Sequence, residues 1–143
     1  MQILKTSLLT LIAALFISAG SPAAAQTFQV PVTGDFREGD ITFTGQYGTV
    51  YYFLWDARIQ DGRLAICGVG YTRDARFRTT IRRMARDGSL RINNSEIPFD
   101  MSFFTRATTR PSLTTTAATC QFVPGAPTSG QLQMRFGDGV FRN

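Results

Sequence analysis

Hydrophobic and polar positions alternate most cleanly over residues 50–71, VYYFLWDARIQDGRLAICGVGY. Phe53, Trp55, Ala57 and Ile59 fall on one face of an extended chain, and Tyr52, Leu54, Asp56 and Arg58 on the other. Ala65, Cys67, Val69 and Tyr71 then share a face, with Leu64 and Ile66 opposite. The two runs meet at Asp61-Gly62, a dipeptide suited to the positive φ values of a type I′ turn. The pattern predicts a β-hairpin. Both its faces are apolar near the middle, which predicts a central pair in a sheet covered on both sides. Gly68 and Gly70 interrupt the Leu64/Ile66 face. Glycines there predict a bulge or a close aromatic neighbour, with a ligand against bare backbone as the alternative.

The flanking segments are shorter. Phe28, Val30 and Val32 alternate over residues 26–32, and Pro31 puts that strand at a sheet edge or makes it a strand end. Turn signals fill residues 33–39, and Ile41 and Phe43 alternate over 40–44. After Tyr71 the period changes. Phe77, Ile81 and Met84 recur at i, i+4 and i+7, which predicts a helix over about 74–86. Thr72 or Asp74 can cap its start and Gly88 can serve as C′. Further strands are expected at 89–93, 97–106, about 113–122 and 132–136, with a turn at 93–95, a loop at 124–130 and a turn at 137–139. Six to eight short strands and one helix predict a mostly β fold over residues 26–143. The expected architecture is an antiparallel sandwich or partly open barrel with the helix packed on it.

Residues 1–25 carry the pattern of a secretory signal peptide: Lys5, a short apolar run over 8–17, the breakers Gly20 and Pro22, then Ala23-Ala24-Ala25. Cleavage is expected after Ala25, with no transmembrane span and a periplasmic or secreted address. That address makes a Cys67–Cys120 disulfide the expectation. It would close a loop of roughly 54 residues, worth about 4 kcal/mol in the chain-entropy model.

Charge sharpens the picture. Residues 26–143 hold fourteen arginines, no lysine and ten carboxylates, a net charge of +4. Seven of those arginines lie within residues 73–91 against Asp74 and Asp87. Arg78, Arg82 and Arg86 form an i, i+4, i+8 row on the expected helix, while Arg76 and Arg83 lie on another side.

The chain contains no histidine, which removes the usual neutral-pH base, the triads built on it and the commonest metal ligand. No phosphate-cradling or dinucleotide glycine motif is present, so no cofactor or metal is expected. Carboxylate pairs remain, Glu38 with Asp40 and Glu96 with Asp100, for hydrolase chemistry. Asp56 interrupts an apolar strand and needs a partner, Arg58 or an arginine of the helix. The leading expectation is an exported, non-enzymatic binding protein. Its anion-facing patch would be Arg76, Arg78, Arg82, Arg83 and Arg86, directed at anionic lipid, polysaccharide or an acidic protein rather than nucleic acid. The alternatives are an inhibitor of a hydrolase, inserting loop 107–119 or 124–130, and a carboxylate-dependent hydrolase.

Overall fold

A computed structural model of the protein describes residues 26–112 and 116–143. The signal-peptide pattern of residues 1–25 and the first part of the strand expected at about 113–122 lie outside the described residues. Among those described, nine strands form: β1 (Thr27–Pro31), β2 (Arg37–Phe43), β3 (Gly48–Gln60), β4 (Arg63–Thr72), β5 (Ser89–Ile92), β6 (Ser95–Pro98), β7 (Ala117–Phe122), β8 (Leu132–Arg135) and β9 (Phe141–Arg142). One α-helix, α1 (Arg78–Arg86), follows a 3₁₀ turn at Ala75–Phe77, and a second 3₁₀ turn spans Ser102–Phe104.

The strands make two antiparallel sheets, ordered β1-β7-β4-β3-β2 and β6-β5-β8-β9. Each keeps two open edges, so the architecture is sandwich-like and not a barrel. The expected hairpin is β3 and β4, central in the larger sheet. At its tip Asp61 has φ 53° and Gly62 φ 70°, the signs a type I′ turn requires.

The main core fills the space between the larger sheet on one side and α1 with the smaller sheet on the other. Tyr51, Phe53, Trp55 and Ile66 meet Ile81, Met84, Leu90 and Met134 there. A smaller cluster covers the opposite face of β3 and β4, where Val32 and Phe36 close over Leu54, Cys67, Ala118 and Cys120. Both faces of the central pair are therefore buried. The register sets Cys67 opposite Cys120, and their sulfurs are bonded at 2.02 Å.

Gly68 and Gly70 have aromatic neighbours. A Cβ on Gly68 would lie 2.7 Å from two atoms of the Phe104 ring, and one on Gly70 would strike the Tyr51 hydroxyl. The close aromatic neighbour is thus what these glycines accommodate.

Three expectations need correction. The segment 97–106 is not a strand. Pairing stops at Pro98, and the Asp100 carboxylate accepts a hydrogen bond from Ser102 N at 2.8 Å, turning the chain into the Ser102–Phe104 turn. Phe99 and Met101 keep a period of two, but the next buried residue, Phe104, comes three positions on and breaks it. The second correction concerns β2, which starts inside the expected turn at 33–39. Arg37, Glu38 and Gly39 pair with Trp55, Leu54 and Phe53, and glycine leaves room for the Phe53 ring.

The third is Gly88, which is not a left-handed helix cap. The last carbonyls of α1 find donors elsewhere: Met84 O accepts from Gly137 N at 2.8 Å, and Ala85 O accepts from Met101 N at 2.9 Å and Gly88 N at 3.2 Å. Gly88 is there for space, since a Cβ would strike the Met101 side chain and sit 3.0 Å from two carbonyl oxygens. At the other end Asp74 caps the helical segment, accepting from Arg76 N at 2.9 Å.

Candidate functional site: an arginine groove

Helix α1 buries Ile81, Met84 and Ala85, so the 3.6-residue period turns Arg78 and Arg82 outward together. Beside them runs the segment after the Ser102–Phe104 turn. It is fixed at three points. Met101 N bonds to the end of α1, Phe104 packs over Gly68, and Ala107 N donates to Gly70 O at 3.2 Å in a parallel bridge with β4. Held this way, the segment brings Arg106 to the same concavity as Arg78 and Arg82. The groove measures about 430 Å³ and is also lined by Ser102, Ala107 and Thr108.

No carboxylate among the described residues lines this groove. Among the described residues none of Arg78, Arg82 and Arg106 forms an ion pair, and all three are exposed. Like charges in one concavity raise the local positive potential. The other arginines of the expected patch are placed differently. Arg76 forks onto Asp74 through Nη2 at 2.6 Å and Nε at 2.9 Å. Arg86 Nε is 3.8 Å from Asp87. Arg83 is exposed without an ion pair and does not line the groove. Arg106 escapes the sequence reading because an expected strand absorbed it. The Asp100-x-Ser102 turn signal was the clue to its real position.

The carboxylates have local partners. Asp56 pairs with Arg58 at 3.0 Å, as a charge in that strand requires. Glu38 accepts from the Tyr52 hydroxyl at 2.9 Å. Glu96 accepts from the Ser89 hydroxyl at 2.7 Å and pairs with Arg135, while Asp100 is taken by its turn. Among the described residues no three His, Cys, Asp or Glu side chains come together, and no helix is long and apolar enough to cross a membrane. In loop 124–130 only Ala126 packs against the core, and the rest is exposed. Loop 107–119 is described on either side of residues 113–115, with Pro111 buried and Thr108, Thr109 and Arg110 exposed.

Two carboxylates are shifted. The Ser89 hydroxyl, then Arg135 and Arg91, hold Glu96 below its ordinary range. The Arg76 side chain and then its amide do the same for Asp74. A carboxyl whose folded pKa is depressed stabilises the fold above its unfolded pKa, and that contribution is lost as pH falls through the folded value. Thermal melts from neutral pH down to about 3 should therefore show a steeper acid loss for the wild type than for Glu96→Gln. Superimposable acid limbs for the two proteins would refute this.

Comparison with known protein families, curated proteins and solved structures finds no match to this chain.

Proposed function

We propose that this chain is a small exported, non-enzymatic binding protein whose groove takes the phosphate or sulfate groups of an acidic saccharide. One observation carries the reading: three guanidiniums from two separate segments line one concavity, and among the described residues no carboxylate pairs with any of them. Guanidinium forks match the terminal oxygens of such anions, and the Ser102 and Thr108 hydroxyls add donors. A bilayer fits less well, because α1 commits its apolar face to the core and keeps none for insertion. The disulfide and the leader pattern of residues 1–25 support export.

Elution from heparin resin tests the site against general charge. Arg82→Gln with Arg106→Gln should elute at clearly lower salt than Arg73→Gln with Arg83→Gln, which removes equal charge outside the groove. Equal shifts for the two pairs would reduce the reading to non-specific attraction. Phosphatidylglycerol vesicles, run beside the resin, should bind more weakly and show no such difference.

A further inference from the structure

A second polar cleft lies along the margin of the two sheets, where residues of β2 and β3 come near residues of β5 and β8. It measures about 570 Å³, within the size range of small-ligand sites. Arg37 and Arg91 line it, with the carboxamides of Asn93, Gln131, Gln133 and Asn143.

Both guanidiniums are braced. Arg37 Cζ lies 4.8 Å from the centre of the Trp55 ring, and Arg91 Cζ lies 3.6 Å from that of Phe141. A guanidinium laid flat on a ring keeps its N–H edge free to fork onto an oxyanion. Among the described residues neither arginine has an ion-pair partner. Glu96 is opposite Arg91 in the β5–β6 register, but Ser89 and Arg135 already hold its carboxylate. Trp55 itself is fully buried, and its indole N–H has no hydrogen-bond partner.

The rim is also held in place. Asn93 has φ 55°, unusual for a residue with a side chain, and its amide donates to Gln131 O at 3.0 Å. Its carboxamide presses against Gly130, where a Cβ would lie 2.7 Å from Nδ2. Gln133 Nε2 donates to Asn143 Oδ1 at 2.9 Å. The hairpin turn that holds Asn93 and the Gln133–Asn143 bond give the rim a defined shape.

We infer that this cleft binds a carboxylate-bearing sugar of the uronate type. The two braced guanidiniums receive the carboxylate. Each carboxamide offers a donor and an acceptor on one plane, which suits sugar hydroxyls. Among the described residues Ala57 and Leu132 are the only apolar side chains lining the cleft, which suits a polar ligand better than an acyl chain or a large apolar side chain. The site shares no residue with the Arg78/Arg82/Arg106 groove and stands without it.

Isothermal titration with trigalacturonate, its methyl ester and neutral maltotriose tests the inference. Trigalacturonate should bind saturably, and the ester and maltotriose about tenfold or more weaker. Arg37→Gln and Arg91→Gln should each weaken trigalacturonate by about tenfold, while Arg83→Gln, which lines neither this cleft nor the groove, leaves it unchanged. No saturable binding, equal binding of the ester, or equal weakening by Arg83→Gln would each overturn it. The ester comparison needs no variant, so it stands even if an arginine substitution disturbs the fold.

Discussion

Cys67→Ala with Cys120→Ala should lower the unfolding free energy by about 4 kcal/mol, since the bridge spans 53 positions of chain. That loss is comparable to the net stability of many domains of this size, roughly 5–15 kcal/mol. The bridge joins neighbouring strands that already pair, so in the chain-entropy account it acts by shrinking the unfolded ensemble rather than by adding native contacts. Both cysteines are fully buried, so a thiol reductant should act on the folded protein only as fast as the sheet opens. Urea unfolding of the oxidised protein, the reduced protein and the double variant measures the effect. A reduced protein as stable as the oxidised one would show that the bridge is dispensable.

Phe53→Ala should cost about 3–5 kcal/mol. The ring is fully buried and meets Tyr51, Phe104 and Phe136 at centroid distances of 5.4, 6.3 and 5.0 Å. Its backbone pairs with Gly39 on one side and Gly70 on the other. The ring therefore occupies the space that Gly39 leaves by lacking a side chain, while the Tyr51 hydroxyl end fills the space beside Gly70. Gly39 supplies a sharper test, because the three atoms nearest a Cβ built there all belong to the Phe53 ring. Gly39→Ala should cost about 1–3 kcal/mol in the wild type and much less in the Phe53→Ala background. Additive costs in that double-mutant cycle would contradict the packing described.

The central hairpin was legible because three local signals agree there: alternation, the Asp-Gly turn and glycines on one face. The helix was legible from its period and from Asp74 at its start, and it ends at Arg86 as the pattern predicts. What no local pattern reveals is that its last carbonyls also take amides from residues 101 and 137, beside that of Gly88. The segment 97–106 misled for a related reason. Its aromatics suit a strand, yet Phe99 and Phe104 are buried and Phe103 half-buried around a turn that Asp100 caps.

The charge of the 73–91 segment was plain in the sequence. Which arginines stay unpaired was not, since that depends on Asp74 and Asp87 engaging Arg76 and Arg86. Arg106 joins Arg78 and Arg82 only through the anchoring of a distant segment on β4. The sheet-to-sheet cleft draws Arg37 and Arg91 from strands that never pair with each other. Such meetings are tertiary facts, and a single chain read in order does not contain them.

The register of β1 has a consequence for how the chain assembles. Thr27 pairs with Gln121 and Pro31 with Ala117, so the first strand docks only on one of the last. Contacts that remote form late, after neighbouring strands such as β2, β3 and β4 have zipped up. Until then the growing molecule carries a naked ladder along β4 and a lone thiol at Cys67. Those are the two hooks by which one nascent copy can snag another. The interval before β7 and β1 dock, not the finished fold, is then where this protein is most exposed to loss.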